Sequence, residues 1–155
     1  MKITLRSLSF ALLCILTSCG GTGTGNPGPS DPGTAGSLPA NGSIVLSGIC
    51  NLLTTCNPSL SLATCSTGVL AVTGLDVHLG LPSGQYTSLS SIITAENNGL
   101  ITGNATAASQ CVSDLSQLSC GNQAVIDAYQ SGNANPFAQV PAMMPSGSGS
   151  CPAVY

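Results

Sequence analysis

Asp76 and His78 are the residues best placed to do chemistry. The chain has one histidine, and an acid stands two positions before it. On a strand the two side chains would share a face, and the carboxylate could orient the imidazole as in a Ser-His-Asp site. With Ser abundant, a small exported hydrolase using Asp76 and His78 is the enzymatic alternative. On a helix the two would not face each other, and a surface or capping role is the better reading. Met143 and Met144 are soft donors of the type that hold Cu(I). No further Met or nearby His completes such a set, so they read as loop packing. Tyr129, Phe137 and Tyr155 read as core or interface anchors. The remaining acids, Asp31, Glu96, Asp114 and Asp127, form no local pair, and carboxylate chemistry needs two groups within several Å. No GxSxG elbow, GK[ST] phosphate loop, HExxH or EF-hand pattern occurs. No catalytic residue, metal or cofactor is therefore assigned.

The cysteines are the stronger signal. Cys14 lies in the apolar leader and Cys19 at its end, which leaves Cys50, Cys56, Cys65, Cys111, Cys120 and Cys151. An even number in a small exported domain reads as three disulfides. A zinc site would need close pairs such as C-x₂-C together with His. The shortest gap here is five residues, between Cys50 and Cys56, and no CxxC or CxxCH motif exists. Six cysteines allow 15 connectivities.

Compartment follows from the first residues. Lys2 and Arg6, the only cationic side chains, precede the apolar run Leu8–Leu16. This is a charged n-region and an h-region of secretory length, too short for a stable span. Leu16-Thr17-Ser18-Cys19-Gly20 follows and resembles the lipobox of bacterial lipoproteins. The resemblance implies a diacylglyceryl thioether on Cys19, cleavage just before it, and a lipid-anchored chain at the cell envelope. Gly20 stands where an Asp would resemble the inner-membrane retention signal of enteric bacteria, so the outer membrane is favoured, periplasmic or surface-facing.

Residues 20–42 contain eight Gly and four Pro and no hydrophobic periodicity. Such a segment cannot bury enough to offset ordering entropy and reads as a linker, with a reach on the order of 25 to 30 Å. The expected organisation is a signal peptide over 1–18, lipidated Cys19 and linker over 19–42, and a disulfide-bonded domain over 43–155. Two sequons, Asn41-Gly42-Ser43 and Asn104-Ala105-Thr106, read as chance in a bacterial chain. Charged residues make up 5% of the chain, against roughly 25% in ordinary soluble domains. A nucleic-acid partner is excluded, because phosphate neutralisation needs clustered Lys and Arg. Loss of the leader removes both cations and leaves all five acids. The mature chain should resist trypsin and form no Lys or Arg salt bridge. Its expected partners are the membrane, through the lipid, and possible proteins of the envelope.

The elements expected to carry these residues are mainly helical. The spacing predicts a helix over 105–119, capped by Asn104 and stopped by Gly121, with Cys111, Val112, Leu115 and Leu118 on one face. A second is expected over 123–130, capped by Asn122. Residues 85–97 place Tyr86, Leu89, Ile92, Ile93 and Glu96 at helical spacing, and a helix is preferred to a hairpin pairing 91–95 with 100–102. Residues 58–81 carry both periods: Leu62, Cys65, Val69 and Val72 fit a helix begun by Pro58, whereas Val69 to Leu81 alternate as a strand would. Residues 44–54 are apolar and of undecided type. After Asn135 the chain is rich in Pro and Gly and is expected to wrap the surface, pinned by Cys151. The fold class is thus a small, mainly α, disulfide-stapled domain behind a tether, with an α+β domain carrying a short hairpin as the alternative.

Cys111-x₃-Leu115-x₂-Leu118-Ser119-Cys120, followed by a Pro/Ser/Gly loop and Ser150-Cys151-Pro152-Ala153-Val154-Tyr155, resembles Cys-rich helical lipoproteins of predatory and environmental bacteria. The likeness covers roughly the last 45 residues and implies no known activity. It implies that Cys120 pairs with Cys151, and Cys111 with a cysteine of the 50–65 group.

Overall fold

A computed structural model describes residues 39–130 and 135–155. The leader 1–18, Cys19 and the linker up to residue 38 lie outside the described residues. Among the described residues every regular element is helical. They are α1 (Asn41–Cys56), α2 (Leu62–Leu70), α3 (Leu75–His78), α4 (Leu89–Asn97), α5 (Ala105–Ser116), α6 (Gln123–Gln130) and α7 (Val140–Met143), with 3₁₀ turns at Pro136–Gln139 and Cys151–Ala153. The hairpin alternative is not formed: residues 91–95 lie inside α4.

Helix α1 is the axis of the domain and packs against α2, α4, α5 and α6. It takes in Asn41 and Gly42, the last two residues assigned to the linker, and both are buried. Val45, Ile49, Leu52 and Leu53 recur at helical spacing and are buried. Gly48 lets α5 approach on another side; a Cβ there would stand 2.7 Å from Val112 Cγ2. Asn41 lies beside Gly103, Gly48 beside Val112, and Cys56 is bonded to Cys120. The two helices therefore run side by side in the same direction, and the connection carries α2 to α4.

Caps explain most boundaries. Asn104 accepts from the amides of Thr106 (3.0 Å) and Ala107 (3.2 Å), and Asn122 from Ala124 (2.9 Å). Ser88 and Ser91 form a reciprocal capping box at the start of α4. In the ambiguous stretch α2 starts not at Pro58 but after Ser61, whose hydroxyl accepts from Thr64 N at 3.1 Å. The strand-like alternation over 69–81 is coincidental: Val69, Val72, Leu75 and Leu79 are buried, while Ala71, Thr73 and Val77 are exposed.

Three disulfides staple the helices. Cys50–Cys65 joins α1 to α2, Cys56–Cys120 joins the end of α1 to the turn after α5, and Cys111–Cys151 joins α5 to the last 3₁₀ turn. The Cα separations are 5.7, 5.1 and 4.5 Å, all within the range a disulfide spans. The pairing of Cys120 with Cys151, and of Cys111 with the 50–65 group, is thereby corrected. Cys111 is on the buried face of α5, where Cys151 packs. Cys120 lies past the end of that helix, where the parallel α1 delivers Cys56.

The segment after Asn135 also departs from expectation. It does not merely wrap the surface. Phe137, Val140, Met143, Met144, Cys151 and Val154 are all buried in the core.

Candidate functional site

Asp76 lies in the first turn of the short helix α3 and is 3% exposed. Its carboxylate is occupied by backbone. Oδ1 accepts from Val77 N at 3.0 Å, and Oδ2 from Gly84 N at 2.6 Å. The Asp76 carbonyl accepts from Leu81 N at 2.9 Å. Asp76 therefore ties the Leu81–Gly84 turn to α3. His78 is half-buried on the same helix, two residues on, and does not share a face with it. A cleft of about 340 Å³ lies over this turn, lined by Asp76, Ser83, Gly84, Tyr86 and Thr87 but not by His78. The structure thus separates the pair that a hydrolase would need together.

Met143 and Met144 are 4% and 6% exposed and belong to the core. Among the described residues, no group of three or more His, Cys, Asp or Glu is placed to hold a metal ion. Phe137 lies over Gly68, Tyr129 packs half-buried on the core, and Tyr155 is held by Glu96. Among the described residues no helix is long and apolar enough to cross a membrane.

The most organised polar cluster was not singled out by its sequence. Helix α1 has Ala40 at its N-cap position, which offers no side-chain cap. Its exposed amides are met from α4 instead. Glu96 Oε1 accepts from Asn41 N at 2.9 Å and from Asn41 Nδ2 at 2.6 Å. Oε2 accepts from Gly42 N at 3.2 Å and from the Tyr155 hydroxyl at 2.6 Å. A carboxylate at a helix N-terminus is favoured both by the free amides and by the helix dipole. A cavity of about 780 Å³ adjoins the cluster, lined by Asn41, Ile44, Glu96, Asn97, Gly103 and Ala105 among others. Both Glu96 oxygens are spent on four donors, so the group acts as a long-range cap and not as a base. The available signal was an acid at a core-facing spacing of α4, together with a helix that lacks its own cap.

Burial works to raise the Glu96 carboxyl. The Tyr155 hydroxyl, the Asn41 and Gly42 amides and the Asn41 side chain outweigh it and hold the carboxyl below the ordinary 4.5. Burial, then the hydrogen bond and charge of Glu96, push the Tyr155 phenol well above the ordinary 10.0. A depressed acid adds stability above its unfolded pKa and loses it as pH falls through the folded value. A raised phenol adds stability below its unfolded pKa and loses it as pH rises through the folded value. The cluster should therefore stabilise the domain fully between pH 4.5 and 10.0, with losses on both sides. Glu96→Gln should lower the melting temperature at pH 7 by several degrees and flatten the decline below pH 4.5. An unchanged acid limb in a pH series of thermal melts would refute this role.

Comparison of the chain with protein-family models, curated proteins and solved structures gives no match.

Proposed function

We propose that the protein is a membrane-anchored lipoprotein, whose disulfide-stapled domain is a non-enzymatic structural, adhesive or partner-binding module at the cell envelope. The observation that carries this reading is Leu16-Thr17-Ser18-Cys19, placed where the apolar run ends. Three disulfides support it, because such bonds persist in oxidising, extracytoplasmic compartments. The commitment of Asp76 and Glu96 to backbone amides supports a binding or structural role over hydrolysis. With Lys2 and Arg6 removed, the mature chain has no cation to attract anionic headgroups. The acyl chains on Cys19 then supply the membrane affinity, at roughly 0.8 kcal/mol per buried CH₂. Gly20 favours the outer membrane.

The test is metabolic labelling with an alkyne analogue of palmitate, followed by membrane fractionation with and without globomycin. The wild type should be labelled, sediment with membranes and accumulate as precursor under globomycin. Cys19→Ala should lose the label. A Cys19→Ala protein that is still processed in the presence of globomycin and stays on the membrane would sink the reading.

A further inference from the structure

The three disulfides differ in access. Cys50, Cys65, Cys111 and Cys151 have no solvent exposure. Cys120 is exposed and its partner Cys56 is half-buried. Cys120 also borders a mostly apolar cleft of about 230 Å³ between α1 and the end of α5, with Leu52, Val112 and Leu118 in its walls. No Asp or Glu lines that cleft, so nothing there repels an incoming thiolate.

The turn that carries Cys120 is held locally. Leu118 N donates to Leu115 O, Asn122 N to Ser119 O and Gly121 N to the Ser119 hydroxyl. The covalent tie between this turn and α1 is Cys56–Cys120 itself. The α1–α5 contact at Gly48 and Val112 sits eight residues before each of these cysteines, and neither it nor the two buried disulfides is made through this bond.

We propose that Cys56–Cys120 is a thiol–disulfide exchange site for a dithiol oxidoreductase, on a domain whose other two disulfides are closed to it. The reductant's thiolate attacks Cys120 Sγ, the exposed half, and forms a mixed disulfide. The Cys56–Cys120 bond breaks and Cys56 leaves as a thiolate, which takes up a proton. The reductant's second thiol loses its proton and attacks its own sulfur in the mixed disulfide, and the Cys120 thiolate leaves and is protonated. Two electrons and two protons pass from the dithiol, which becomes a disulfide, to Cys56 and Cys120. The helices keep their packing, and the turn after α5 is released from the end of α1. This goes beyond the anchoring role and does not depend on Cys19.

The experiment uses the full chain extracted in detergent. It is exposed to graded dithiothreitol, and separately to reduced thioredoxin, without denaturant. Free thiols are trapped with N-ethylmaleimide and located by peptic mapping, since the mature chain offers trypsin no site. A species labelled at Cys56 and Cys120 alone should form roughly tenfold or more faster than label enters the other four positions, because exchange rates follow access to the sulfur. Its far-ultraviolet circular dichroism should keep the helical signal. A thioredoxin lacking its resolving cysteine should be trapped on Cys120. Labelling of another pair first, release of all six thiols in one step, loss of the helical signal in the two-label species, or trapping on Cys56 would each overturn the proposal.

Discussion

Gly80→Ala should destabilise the domain by about 3 to 5 kcal/mol. Two costs add at this position. Gly80 has φ +89°, in the left-handed region, where a Cβ costs roughly 1–2 kcal/mol. The new Cβ would also collide with the carbonyl oxygen of Pro152 and stand 2.8 Å from that of Tyr155. Both obstacles are backbone, and no rotamer change removes them. The 152–155 segment must move as a whole. It holds Tyr155 N to Leu79 O at 3.0 Å, Asn104 N to Val154 O at 2.7 Å, and the Tyr155 hydroxyl on Glu96. Displacing it therefore loosens the cap of α1 as well. Gly99 supplies the control. Its φ is +69°, but nothing lies within 4 Å of a Cβ there. Gly99→Ala should cost about 1 kcal/mol, from backbone strain alone. Equal losses for the two variants in urea denaturation would show that the close approach at Gly80 carries no energy.

Such long-range dependences mark the line between what was legible in the sequence and what was not. Helices α5 and α6 were legible because their start signals are local. Asn104 and Asn122 cap within three residues of themselves, and the apolar spacing begins at once. Helix α1 is longer than either but carried no such signal, since its cap comes from Glu96, 55 residues away in sequence. Residues 58–81 gave two periods because Ala71, Thr73 and Val77 hold small or apolar side chains at exposed positions. Only the packing shows that Val72, Leu75 and Leu79 follow the helical spacing.

Composition marked the segment after Asn135 as rich in Pro and Gly and led to the expectation of a surface wrap. It was silent on depth, because single anchors such as Phe137 and Val154 need no periodicity to be buried. The disulfide framework was legible in number and not in pairing. Pairing depends on the parallel course of α1 and α5, which no local pattern encodes. At the candidate site, Asp76 was singled out as an acid beside the one histidine. What decides its role is Gly84 N, eight residues away, and a turn alone brings that amide to the carboxylate.

Gly68 raises a related question, because it sits inside α2, where Gly costs roughly 1 kcal/mol relative to Ala. Propensity alone says that Gly68→Ala should stabilise. Packing says the opposite. A Cβ on Gly68 would lie inside contact distance of Cδ2 and Cε2 of Phe137 and 3.0 Å from Cγ, and that ring is 5% exposed. Moving a buried ring off its seat costs about 1–3 kcal/mol, and expelling it more. The steric term is the larger, so Gly68→Ala should destabilise by about 2 kcal/mol net. Removing the ring should reverse the sign. Phe137→Ala alone should cost about 3–5 kcal/mol, from lost burial and the cavity left behind. In that background Gly68→Ala meets no ring and should gain about 0.5–1 kcal/mol from helix propensity. The double-mutant cycle then gives a coupling of about 3 kcal/mol, at the upper end for residues in contact. If the Gly68→Ala penalty is the same with and without the Phe137 ring, then the ring is not what keeps a glycine in α2.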